Sequence, residues 1–247
     1  MEGYNAHWYQ SSTDDGTGQG RASRTKDSST IDHALSMLEF SATVGRPFFL
    51  QVWSHMTHHP IRPPDFLAHR YADLEVNRSL LGSEVNSKLR ECAEALEDPI
   101  DGLRRYLAAV YGFDLGVGRL LAKLDELALT DNTVVIFTSD HGAAPVTVSD
   151  DLRRCYLMGC SGPFRGGKHD LSEGGVRVPL VVRWPGRVTA NAVNSDTTFA
   201  FVDFLPTVSV SRAQFSRSCA VWSRSHSLVP SAYLTRRDLR SFWMFVL

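Results

Sequence analysis

Apolar and polar positions divide the chain into strand-like runs, helical stretches and polar ends. Thr133-Val134-Val135-Ile136-Phe137-Thr138 follows the turn residues Thr130-Asp131-Asn132 and precedes Gly142. A short β-branched and aromatic run between turn signals reads as a buried strand. Pro47–Trp53 and Leu180–Trp184, the latter closed by Pro185-Gly186, read the same way. Ile31, Ala34, Leu35 and Leu38 fall at helical spacing, with Asp27, Ser28, Ser29 or Thr30 to cap them. Gly102–Leu129 is the clearest helix, with Leu103, Tyr106, Leu107, Val110, Phe113, Val117, Leu120, Leu121 and Leu124 tracing a wide apolar face. Asp114 falls on the same face. Gly112, Gly116 and Gly118 each weaken this helix by up to ~1 kcal/mol relative to alanine, which predicts close packing there. Residues 66–99 mix charged and apolar positions, and one or two short helices are expected. Residues 209–240 are rich in Ser and Arg and keep no period.

Composition narrows the class. The 247 residues are 43% hydrophobic and 21% charged with a formal net charge of -1, enough chain for one large domain or two small ones. The near-neutral balance gives no reason to expect nucleic acid or an acidic membrane surface as partner. No apolar run approaches the roughly 18 residues of a membrane span, and Met1–Asn5 shows no signal-peptide pattern. Cys92, Cys155, Cys160 and Cys219 follow no metal spacing. A Cys155–Cys160 disulfide is one option, and free thiols are the expected state.

The chemistry gathers after the strand runs. Ser139-Asp140-His141-Gly142 follows the first of them, at the carboxyl end where open α/β sheets place ligand sites. A carboxylate beside an imidazole can ligate a divalent ion. Lys168 stands in Phe164-Arg165-Gly166-Gly167-Lys168-His169, where glycines let backbone approach an anion and the ammonium adds a point charge. Together these read as a cation-and-anion site in a single pocket. His55, His58 and His59 lie on one loop, but their spacing is a weak zinc signal because no further close ligand completes four positions. Thr13-Asp14-Asp15-Gly16 has nothing apolar before it and reads as an acidic turn.

TVVIFTSDHG followed by FRGGKHDLSEGGVRVPLVVRWPG resembles the sulfatase family, within the alkaline phosphatase superfamily. The resemblance extends upstream through PFFLQVWSHMTHHP and covers about Ser29 to Val208. It implies an α/β fold, a mixed, mostly parallel sheet flanked by helices and incomplete at its first strands. It also implies a sulfuric ester hydrolase acting on a sulfated small molecule or glycan. Asp140 and His141 would be two ligands of a calcium ion, which takes six to eight donors in all. The family's other calcium ligands, a paired Asp on its first strand, are not found here. Lys168 and His58 would contact the sulfate, as catalytic and substrate-binding residues. Relatives use a formylglycine nucleophile made from Cys or Ser in a Cys/Ser-x-Pro/Ala-x-Arg signature. Counted from Cys160, Pro163 and Arg165 stand at the wrong offsets, and the expectation is that this chain lacks the precursor.

The resulting domain reading is a polar lead at 1–28, a partial sulfatase catalytic domain at 29–208, and a divergent tail at 209–247 with a frameshift as the hypothesis for it. The chain alone is expected to be inactive and poorly soluble. Two other readings are a phosphodiesterase or phosphatase of the same superfamily and a non-catalytic module that binds sulfated ligands. The sulfate ester, the oligomeric state and the compartment have no signal in the sequence, although relatives are usually secreted, periplasmic or lysosomal.

Overall fold

A computed structural model describes residues 28–94, 96–146, 155–211 and 241–246. Thr13–Gly16 and Cys219 lie outside them, as does most of the tail. The described chain forms two compact units. One takes its residues from 28–33, 54–117 and 143–176, and the other from 34–53, 118–142 and 177–246. In chain order the main elements are α1 (Ser28–Val44), β1 (Phe49–Trp53), α2 (Asp65–Ala68), α3 (Ser83–Glu91), α4 (Pro99–Glu126) and β2 (Thr133–Thr138). These are followed by α5 (Glu173–Val176), β3 (Leu180–Arg183), α6 (Phe201–Ser211) and β4 (Ser241–Val246).

All four strands belong to the second unit and form one sheet in the order β1-β4-β2-β3. β4 runs parallel to both β1 and β2, and β3 is antiparallel to β2. The sheet is therefore mixed and mostly parallel, and the α/β expectation holds. β2 is buried at Thr133–Ile136 and Thr138, as its unbroken apolar run demands. Val134 and Ile136 pack with Trp184 against Leu180, Val182, Val188 and Phe204, each large side chain contributing about 1.5–3 kcal/mol on burial.

The register decides where the motif-bearing segments leave the sheet. Trp53 of β1 and Thr138 of β2 both pair with Val246 of β4, and Thr138 also pairs with Leu180 of β3. Strands lie roughly 4.8 Å apart, so Trp53 and Thr138 are about 10 Å apart at the same level. The histidine segment begins one residue after Trp53, and Asp140 lies two after Thr138. The lysine loop leads into Leu180. β1 and β2 therefore end, and β3 begins, at one end of the sheet.

β4 was not expected. In the sequence, 241–246 falls in the divergent tail, with a faint family resemblance at Phe242-Trp243 and no strand assigned. A short continuous apolar run is ambiguous by periodicity alone, yet such a run is what a central parallel strand requires.

The other unit is held by two clusters. Leu89, Cys92, Leu103, Val146, Cys155 and Met158 form one, and Met56, Ile61 and Ala109 form the other with Tyr106, Phe113, Tyr156 and Leu157 around them. Cys92 and Cys155 are joined in a disulfide across 63 residues, and Cys160 is an exposed free thiol. This corrects the expectation of free thiols at the first two and removes the Cys155–Cys160 alternative. Closing a loop of that length is worth roughly 4 kcal/mol in the chain-entropy account. Gly116 is closely packed, but against helix α1 rather than the sheet that such glycines led one to expect, since a Cβ there would stand 3.2 Å from Ile31 Cγ1. Gly118 is not, because a Cβ there meets open space. Asp114 is exposed rather than on the packed face.

Candidate functional site

At the exit of β2, Ser139 Oγ donates to the His141 carbonyl at 2.9 Å and closes a tight turn. The turn leaves the side chain of Asp140 59% exposed and that of His141 34% exposed. His141 Nδ1 lies 2.8 Å from the Gly142 carbonyl. A carbonyl can only accept, so Nδ1 carries the proton in the neutral ring and Nε2 keeps its lone pair. Nε2 faces Asp140 Oδ2 at 3.4 Å. Two lone-pair donors converging in this way suit two adjacent positions of a divalent cation. The carboxylate is the hard donor that calcium prefers, and the imidazole is the softer one. Among the described residues no group of three or more His, Cys, Asp or Glu stands together as a metal shell.

The lysine loop is a separate construction in the other unit. Its backbone N–H at Lys168 donates to Ala143 O at 2.9 Å, and Gly174 N–H donates to Arg165 O at 2.7 Å. Asp170 folds back so that its Oδ2 accepts from Gly167 N–H at 3.1 Å. Gly166 has a φ of +80°, a conformation glycine adopts without steric cost. A Cβ at Gly174 would stand 2.1 Å from Gly166 O, and one at Gly175 2.1 Å from Asp170 O. These glycines are therefore required by backbone contact, and the turn they make presents Lys168. Its side chain is partly exposed and its ammonium has no hydrogen-bond or ion-pair partner among the described residues.

His58 is exposed, with Nδ1 2.6 Å from His59 O. By the same tautomer argument its Nε2 is the lone-pair nitrogen of the neutral ring. His55 stacks edge-on against it with ring centroids 6.1 Å apart. The structure thus brings Asp140 to His141 in one unit and His55 to His58 in the other.

Sequence reasoning missed a buried node behind the lysine loop. Lys88 on α3 is 5% exposed. Its ammonium donates to Ala144 O at 2.9 Å, to Leu157 O at 3.2 Å and to Gly159 O. Glu84, one turn earlier, lies 3.6 Å away and accepts from Ser161 N–H at 3.0 Å. Burial depresses the Lys88 pKa below the ordinary lysine value, and Glu84 partly offsets this. Ser161 Oγ in turn donates to Gly174 O at 2.8 Å and accepts from Ala143 N–H at 3.3 Å.

Counted from Ser161 rather than Cys160, Ser161-Gly162-Pro163-Phe164-Arg165 has the Ser-x-Pro-x-Arg spacing, but it stands directly before the lysine loop and not in the block where the resemblance implies the precursor. The hydroxyl is engaged on both sides by backbone, which is a bridging role.

Comparison with known proteins bears on the family and the fold. The family model for sulfatases matches residues 2–210. Steryl-sulfatase of Mus musculus is 46% identical over 109 residues, 42% of this chain and 17% of its own length. N-acetylgalactosamine-6-sulfatase of Canis lupus familiaris is 32% identical over 164 residues, 66% of this chain and 24% of its own. The chain thus spans about a quarter or less of these curated relatives. Among solved structures, Ps i-CgsB in complex with k-i-k-neocarrahexaose matches with a TM-score of 0.56 at 21% identity, over 78% of this chain and 35% of that one. A putative sulfatase, yidJ from Bacteroides fragilis, matches with a TM-score of 0.53 at 23% identity, over 80% of this chain and 39% of that one. Likeness at that identity speaks for the fold. With a family match over most of its length, this chain belongs to the sulfatase family.

Proposed function

We propose that this chain carries sulfate-handling parts of a sulfuric ester hydrolase whose substrate is a sulfated small molecule or glycan. Lys168 binds a sulfuryl oxygen through its ammonium, and His58 contacts the same group and, in its imidazolium form, can hand the Nε2 proton to the leaving alcohol. Asp140 and His141 hold a divalent cation, calcium in this reading. When bound, that ion would supply a Lewis-acidic positive charge at the exit of β2. The observation that supports the proposal is the glycine-built turn that presents Lys168, whose ammonium has no hydrogen-bond or ion-pair partner among the described residues.

The test is binding of inorganic sulfate to the full chain with calcium present, followed by calorimetry. Lys168→Ala removes a charge-assisted contact worth about 1.5–3 kcal/mol, so affinity should fall roughly 10- to 100-fold. Unchanged affinity in that variant would overturn the assignment of Lys168. The chain alone is expected not to turn over an aryl sulfate, because no formylglycine precursor is found in the block where the resemblance implies one. Turnover that scales with protein and disappears in Lys168→Ala would refute that part.

A further inference from the structure

We infer that Lys88 is a positioning residue for the anion-binding loop, acting through Ser161 and Ala143 rather than touching a ligand. The inference rests on the reading of Lys168 given above. A buried ammonium is costly unless it is paired and its donors are satisfied. Lys88 meets that demand with three backbone carbonyls and one carboxylate. Those carbonyls come from two segments, 143–144 and 157–159, and neither segment belongs to a helix or strand that would bond them in a ladder. Irregular buried backbone needs partners, and a single ammonium supplies three donors at one point.

From that point a continuous path reaches Lys168. Ala144, held by Lys88, is the neighbour of Ala143. Ala143 is gripped twice, its N–H by Ser161 Oγ and its carbonyl by the Lys168 N–H. Glu84 fixes the other side by accepting from Ser161 N–H, and Ser161 Oγ reaches on to Gly174 O at the far end of the loop. The loop is therefore clamped at Lys168 and at Gly174 by groups that converge on the Lys88–Glu84 pair. Neither Lys88 nor Glu84 stands in the motifs that carry the family resemblance.

The experiment combines amide hydrogen exchange with sulfate titration on the full chain, comparing wild type with Lys88→Met. Methionine keeps the volume and removes all three donors. Exchange at the Lys168 and Gly174 amides should quicken about tenfold or more relative to the β2 amides, and sulfate affinity should fall about tenfold. In a Lys168→Ala background, Lys88→Met should cause no further loss of affinity, because both changes act through one contact. Ser161→Ala, a milder change that keeps the buried ammonium, should reproduce the loop-specific exchange and serves if Lys88→Met does not fold. If wild type binds no sulfate, the reading of Lys168 fails while the exchange data still decide the clamp. If Lys88→Met speeds all amides equally, or leaves the loop amides as protected as in wild type, Lys88 is only a general stabiliser and the inference falls.

Discussion

Lys88 illustrates what burial does to one charged side chain. Desolvation depresses its pKa below 10.5, with Glu84 and more weakly Cys160 and Glu91 pulling the other way. Between the depressed value and 10.5, the unfolded chain still holds a proton that the folded chain has given up. Stability therefore rises with pH across that window. Tyr106 works in the opposite sense, because burial raises its pKa above 10.0 and the folded state resists its ionisation. The difference between wild type and Lys88→Met cancels Tyr106, which is common to both. Denaturant titrations from neutral to alkaline pH should show wild type gaining on Lys88→Met as pH approaches 10.5, and a flat difference would contradict a depressed pKa. Nothing in SEVNSKLRE announces this lysine, because a charged helix with i,i+4 Glu and Lys ordinarily reads as a solvated face. Asp140, His58 and Lys168 stand out as candidates in the sequence because each follows a strand run or sits among glycines.

At the scale of elements, α4 and β2 were read nearly to their ends, since long periodic or strongly β-branched runs carry their own signal. The glycines within α4 divide by what surrounds them. A Cβ at Gly116 would press on Ile31 at 3.2 Å, whereas one at Gly118 would meet nothing within 4 Å. Replacing an exposed helical glycine by alanine removes backbone entropy from the unfolded chain. Gly118→Ala should therefore stabilise the protein by about 0.5–1 kcal/mol. Gly116→Ala should gain less or lose, because Ile31 must shift. Thermal denaturation of the two single variants settles the order, and an equal gain from both would show that the Ile31 contact yields without cost. The Cys92–Cys155 disulfide was beyond the sequence reading because four cysteines allow three pairings, and only the fold brings the end of α3 to Cys155.

For the whole molecule, β4 is the element that most changes the picture drawn from sequence. The expectation of missing central strands implied bare sheet edges and poor solubility. In the structure β4 lies between β1 and β2 and pairs with each in parallel register. Among the described residues β1 has no other strand partner in this sheet. A chain ending at Arg240 would strip β1 of its ladder and open one side of β2, both apolar runs. Phe49 and Trp53 on β1, and Met37, Phe40 and Val44 on α1, are already 43–52% exposed. An added open edge beside such side chains is a template for association. Truncation after Arg240 should therefore produce concentration-dependent aggregation and faster exchange at the Val134–Thr138 amides. Light scattering and hydrogen exchange would read these effects. The amides of Leu89 and Leu103 supply the internal control, since these residues pack with Cys92 and Cys155 in a cluster of their own and form no strand pair with β4. A truncated chain that stays monomeric with β2 fully protected would mean that β4 is dispensable to the sheet.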